Sequence, residues 1–440
     1  MNSSINFRTP KLNRSIKQRN TFWYNYYAGY SSEFVEDAIK FLKLPSKATI
    51  ADPWNGTGTS TEVAANMGFN AKGFDINPVM VIIGKAKLAN HIDSSYLLTL
   101  SNKILENASY CSDSIIENNQ EPLENWFDSN AALVFRKLEY SIRTLFIPQS
   151  PSIYTLINEK SSLVDIPSIA CFFYTALFRT LWDFLIPFRS SNRTWVKTSK
   201  LVEERLAISQ DKIYYSFEKN VNYLTELLQL RNNLENISKE KNIDIDISNS
   251  ERLPLQNESI QAVISSPPYC TRIDYAIATK PELALLGYKT DKKFFRLLRD
   301  SMIGTPTITK AIVSSSQPSW GETCKKFLDS VAAHKSRASR SYYLKYYLQY
   351  FNSIYNSIKE IDRILIKEGH CVLVVQDSYY KDVHNNLPQM FKDMGISLGW
   401  RLKNSQDFLI SCTMADINSR ARKYQTLRKT TETILAFQKI

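Results

Sequence analysis

Apolar positions along the first hundred residues alternate between helical and strand spacing. Phe34, Val35, Ala38, Ile39, Phe41 and Leu42 recur with a helical period behind Ser31 and Ser32, either of which can cap the helix, and Pro45 closes it. Residues 48–51 then read as a buried strand, 59–67 as a helix with Gly68 as its stop, and 71–75 as a second strand ending in Asp75. Strand, helix, strand at this spacing predicts a βαβ unit and a parallel sheet. Between 91 and 240 the period is helical, most clearly over 133–146 and 214–234, and strand signals are sparse. Alternation returns at 243–247 and 262–264, followed by a helix over 343–365, an apolar strand at 371–375 and an edge strand at 433–437. The pattern predicts an α/β fold class, with a mostly parallel sheet and a helical insertion. Its divisions are a mobile polar N-terminus (1–21), a core (22–90 and 241–440) and the insertion (91–240).

Residues 166–188 are long enough to cross a bilayer, but Arg179 and Asp183 sit inside the run, four residues apart, and Pro167 and Pro187 bound it. Such charges are costly in lipid and ordinary as an i,i+4 pair on a soluble helix, so a buried helix is expected and no membrane partner. The formal net charge of +12 over 440 residues favours an acidic partner, nucleic acid being the commonest. The six cysteines form no CxxC pair and the four histidines no ligand-spaced cluster, so neither a metal site nor a disulfide framework is expected. Met1 to Arg19 has no apolar core of the kind that secretory signals carry, which points to the cytoplasm.

Two motifs carry chemistry. The first, Asp52-Pro53-Trp54-Asn55-Gly56-Thr57-Gly58-Thr59, follows the first strand. Gly56 and Gly58 let the backbone approach a ligand, and the next helix offers free N–H groups. Asp75, ending the second strand, can accept from ribose hydroxyls. The same glycines would serve a nicotinamide dinucleotide or a plain structural turn, yet Thr61 stands where a third glycine would complete the dinucleotide pattern. A carboxylate at Asp52 would repel a pyrophosphate and suits a cationic ligand. The second motif, Ser266-Pro267-Pro268-Tyr269, ends an apolar strand. The prolines stiffen the loop and leave carbonyls free to accept hydrogen bonds. Ser266 adds a hydroxyl, and Tyr269 a flat face for a base.

Together the motifs resemble those of the amino-directed DNA methyltransferases, the N4-cytosine and N6-adenine group. The resemblance covers roughly residues 22–90 and 243–440. It implies a Rossmann-like methyltransferase fold that uses S-adenosylmethionine to methylate an exocyclic amine in DNA after base flipping, as in restriction-modification. It assigns cofactor contacts to Tyr27, Asp52, Pro53, Asn55, Gly56, Thr57, Gly58, Thr59 and Asp75, and to Asn249 in place of an acid common in the family. It makes Ser266, Pro267, Pro268 and Tyr269 catalytic. Serine at the head of the motif favours cytosine N4; adenine N6, an RNA amine and an inactive nucleic-acid-binding subunit are the alternatives. Residues 91–240 become a candidate target-recognition region. Basic, aromatic-bearing runs at 292–296 and 335–345 are candidate nucleic-acid surfaces, and Arg272, Asp274 and Tyr275 are candidates to close over a flipped base.

Overall fold

The strands that the alternation predicts join into one seven-stranded sheet. The computed structural model describes residues 6–11, 22–25, 29–91, 94–115, 121–148, 152–160, 162–190, 195–234, 243–289, 293–308, 314–410 and 430–440. Along the chain come β1 (Thr49–Asp52), β2 (Asn70–Asp75), β3 (Ile243–Ile247), β4 (Ile260–Ser265) and β5 (Leu365–Gln376). A small ribbon of β6 (Ser378–Tyr380) and β7 (Val383–Asn385) follows, then β8 (Arg401–Ile410) and β9 (Thr430–Gln438). The large sheet runs β3-β2-β1-β4-β5-β9-β8. Its first five strands are parallel, with Asp52 opposite Gly73 and Ser265 opposite Leu373, while β9 lies antiparallel to both β5 and β8.

Both faces of this sheet are apolar, as a parallel sheet requires. Ile50, Ala71, Ala262, Ile264, Val372 and Val374 pack with Phe34, Val35, Ala38 and Ile39 of the helix Ser32–Leu42, which Ser31 caps. The intervening Ala51, Val263, Cys371, Leu373 and Val375 face the helix Leu344–Ile364 on the other side. Helices of the 94–234 region build a separate core around Ser168–Phe184 and reach the sheet at Ile245 of β3. No helix among the described residues is long and apolar enough to cross a membrane.

Three expectations change. The strand predicted at the sheet edge over 433–437 is interior. Ile434, Leu435, Ala436 and Phe437 are buried in succession, so both faces of β9 are covered, and the edge belongs to β8, whose apolar residues are too diluted by polar ones to read as a strand. The N-terminus is not uniformly mobile: Phe7 is buried against Phe34 and Phe41, and its backbone N–H donates to Gln406 Oε1 of β8 at 2.9 Å. Residues 12–21 lie outside the described residues. Finally, Arg179 and Asp183 are bridged rather than directly paired. Arg179 Nε donates to Asn220 Oδ1 at 3.0 Å, and Asn220 Nδ2 donates to Asp183 Oδ2 at 2.9 Å.

Candidate active site

Four parallel strands bring their carboxyl ends to one edge of the sheet, and the residues singled out in the sequence lie there. Asp52 ends β1, Asp75 ends β2, Asn249 follows β3 and Ser266 follows β4. Strand order reverses at β1, with β2 on one side and β4 on the other, and open α/β sheets bind ligands in the crevice at such a point.

The loop after β1 is shaped by its glycines. Gly56 and Gly58 adopt φ of 48° and 82°, and a Cβ at Gly58 would also sit 3.3 Å from Gly84 Cα. The Asn55 side chain is buried beneath the loop, where a Cβ on Gly73 would come within 2.6 Å of it. What Asn55 gives the turn is its carbonyl, which accepts from Gly58 N at 2.7 Å. Pro53 and Gly56 are buried, whereas Thr57 and Thr59 are partly exposed. Tyr27 lies outside the described residues.

Asp52 sits deeper than its role as a partner for a cation would suggest, at 1 % exposure. Its carboxylate accepts from Tyr30 Oη at 2.8 Å, from Trp54 N at 3.1 Å and from Ser265 Oγ. Burial pushes its pKa up. Asp52 therefore ties the loop after β1 to the end of β4 and to the segment before the first helix. Tyr30 was not among the candidate site residues singled out in the sequence.

Asp75 accepts from Gly56 N at 2.9 Å and from Asn77 N at 2.8 Å, and burial pushes its pKa up to about 6. Asn249 Oδ1 accepts from Glu251 N at 2.9 Å. Asn249 lines a cavity of about 140 Å³ together with Asp300, Gly304 and Tyr350. Asp300 Oδ1 is buried there without a partner among the described residues. Tyr350 Oη donates to the Pro268 carbonyl at 2.8 Å, so one wall of the cavity is tied to the second motif.

In that motif, Ser266 Oγ donates to the Val374 carbonyl at 3.1 Å. Its one proton is shared between that carbonyl and Tyr269 Oη, the latter at 3.4 Å, and the oxygen keeps lone pairs for an incoming N–H. Tyr269 Oη donates to Glu432 Oε1 of β9 at 2.7 Å, and burial together with that carboxylate holds the phenol's pKa well above its usual range. Pro267 is buried, and Pro268 is partly exposed. Val374 and Glu432 carried no sequence signal beyond an acid in an apolar strand. Asp274 is 3 % exposed and caps the turn Tyr275–Ala278 while pairing with Arg299 Nη2 at 2.6 Å, so its carboxylate is not free to close over a base.

A buried acid anchors the site's flank. Glu282, fully buried, accepts from Tyr24 Oη and Trp182 Nε1, and burial pushes its pKa up to about 7. Arg179 holds the same N-terminal segment through the Phe22 and Trp23 carbonyls, each at 3.2 Å. Because the folded-state pKa lies above the unfolded value, the folded chain binds the extra proton. The stability this contributes is complete below about pH 4.5 and is lost as pH rises toward 7. Glu282→Gln keeps an acceptor without the charge, so it is expected to be more stable than the parent at pH 8 by on the order of 3 kcal/mol, with no gain at pH 4. Urea unfolding at the two pH values measures this, and equal differences at both would refute it.

No family model matches the chain. It is 25% identical over 330 residues to a type II methyltransferase, M.BsoBI, of Geobacillus stearothermophilus, a match covering 66% of this chain and 56% of the relative. The chain thus spans little more than half the length of that relative. A parallel sheet extended by two antiparallel strands, with glycines and acids at its reversal point and a Ser-Pro-Pro-Tyr loop beside them, is consistent with a Rossmann-like methyltransferase fold, and the chain is similar in sequence to a type II DNA methyltransferase.

Proposed function

We propose that the chain transfers a methyl group from S-adenosylmethionine to the exocyclic amine of a base in DNA, cytosine N4 in preference to adenine N6. The observation that carries this reading is the Ser266 hydroxyl, which donates to Val374 and thereby presents an acceptor beside the rigid Pro267-Pro268 turn. The residues fit the cofactor: Gly56 and Gly58 keep side chains out of the crevice, Asp75 offers a carboxylate, and the cavity at Asn249 holds an acceptor on Asp300 that has no partner among the described residues. S-adenosylmethionine supplies an electrophilic methyl group on a sulfonium.

The protein's task is to make a poor nucleophile attack in line. An aromatic amine has its lone pair delocalised into the ring. Accepting its N–H bonds at Ser266 Oγ and the Pro267 carbonyl turns the nitrogen so that the lone pair points at the methyl group. The bound cofactor would supply the methyl group with its thioether as the leaving group, and the amine proton held at Ser266 Oγ and the Pro267 carbonyl would be released afterwards, so no strong base is required. Tyr269, kept neutral and fixed in orientation by Glu432, offers its ring to the base. Base flipping, which brings the amine within reach, draws on the basic surface of the chain.

The test is mass analysis of nucleosides from DNA incubated with the protein and labelled cofactor. N4-methylcytosine is expected. N6-methyladenine would overturn the choice of base, and label confined to RNA would overturn DNA as substrate.

A further inference from the structure

The loop that follows the Ser-Pro-Pro-Tyr motif is joined to a cationic segment that the methyl-transfer chemistry leaves unused. The Arg272 guanidinium lies 5.0 Å from the centre of the Tyr343 ring, and its Nη1 donates to Tyr343 Oη at 3.2 Å. Tyr343 ends a π-helical turn, Ser339–Tyr343, and π turns recur at functional sites. Lys335, Arg337, Arg340 and Lys345 are exposed within eleven residues of sequence, and among the described residues none of the four is in an ion pair. The nearby acids are engaged elsewhere, Asp382 with His334 and Asp329 with Lys325.

The segment is held in shape. Arg272 and Ala338 both adopt left-handed backbone conformations, with φ of 57° and 65°, which side chains other than glycine hold only when their surroundings impose it. Ser336 and Ser339 share hydrogen bonds with Tyr380 Oη at 2.6 and 2.7 Å, Tyr342 Oη donates to the Pro306 carbonyl at 2.8 Å, and Arg340 Nε donates to the Ala332 carbonyl at 2.8 Å. These anchors surround a hollow of about 340 Å³ lined by Ser336, Ser339, Arg340 and Ser341. A basic segment with four cations outside any ion pair among the described residues, one of them, Arg340, at the hollow beside Ser341, matches the charge of a phosphodiester backbone.

We propose that residues 335–345 grip the phosphates of the DNA strand carrying the target base, and that Arg272 on Tyr343 couples this grip to the catalytic loop. The proposal rests on the reading of the chain as a DNA methyltransferase. The competing surface is the helix Lys293–Ser301, where exposed Lys293 and Arg296 alternate with exposed Phe294 and Leu297. Its Arg299 reaches the same loop through Asp274.

The test is DNA affinity as a function of salt for the full chain, Lys335→Ala/Arg337→Ala and Lys293→Ala/Arg296→Ala. Losing two phosphate contacts makes the slope of log K against log salt shallower by about 1.8 and weakens binding roughly thirtyfold at 0.15 M salt. That result is expected for Lys335→Ala/Arg337→Ala, with cofactor affinity and thermal midpoint unchanged. An unchanged slope in this variant, or the loss appearing only in Lys293→Ala/Arg296→Ala, overturns the proposal. A parent protein without DNA affinity overturns the functional reading itself, so the two failures are told apart.

Discussion

Ser266→Ala is expected to lower kcat by about 10²–10³ and to leave cofactor Kd within about twofold, because its hydroxyl acts on the amine and not on the methyl donor. Asp75→Asn is expected to do the reverse. It keeps a carbonyl for only one of the Gly56 and Asn77 amides, which bond different carboxylate oxygens, and loses the ionised acceptor proposed for ribose, weakening cofactor binding by about ten- to a hundredfold at pH 8. The pH dependence separates the two further. Asp75 must be ionised to accept both hydroxyls, and its pKa is pushed up to about 6, so parent affinity should fall as pH drops through that value while Asp75→Asn stays flat. Calorimetric titration of cofactor across pH 5–8, beside single-turnover methylation, reads both effects. If each variant damaged binding and transfer alike, the division of labour would be wrong.

A second large effect is expected at Asp52, on stability. Asp52→Ala removes the acceptor of Ser265 Oγ and Tyr30 Oη inside the protein and leaves a void at the junction of β1 and β4. Two buried hydroxyls losing a charged acceptor cost about 3 kcal/mol. Tyr30 retains a bond with Ser60, which sets this near the middle of the range and not at its top. Asp52→Asn, which keeps one carbonyl oxygen and sheds a charge that burial penalises, should cost about 1 kcal/mol. Urea midpoints with an unchanged m-value measure the difference. A fully stable Asp52→Ala would mean that these hydrogen bonds do not hold the junction of β1 and β4.

Much of this architecture was legible in the sequence because the central strands are short, apolar and bounded by turn residues. β1, β2 and β4, with the helices beside them, sit within a residue or two of where the pattern put them. The β8–β9 pair was misread for a physical reason: whether a strand is interior depends on what lies beside it, and β8 conceals itself by alternating half-exposed residues such as Asn404 and Gln406 with fully exposed ones. The site shows the same limit. Gly56, Gly58, Asp75 and Ser266 announce themselves by backbone need or chemical type next to a strand end. Val374 contributes only a carbonyl, and Tyr30 and Glu432 act across 22 and 163 residues of sequence, so their roles exist only after folding. Asn55 and Asp52, expected to contact a ligand, also support the loop from beneath, a role that only the folded chain displays.

The partnership of Tyr269 with Glu432 bears on how the protein is made. During synthesis, β1, β2 and β4 and both motifs have emerged by residue 269, yet the acceptor that orients Tyr269 arrives only with β9. β9 then takes its place between β5 and the earlier-made β8, which pairs with no other strand among the described residues. A nascent chain can thus hold its glycine loop and both strand-end acids before the Tyr269 ring has the acceptor that orients it. The setting of that ring waits on the last strand of the sheet.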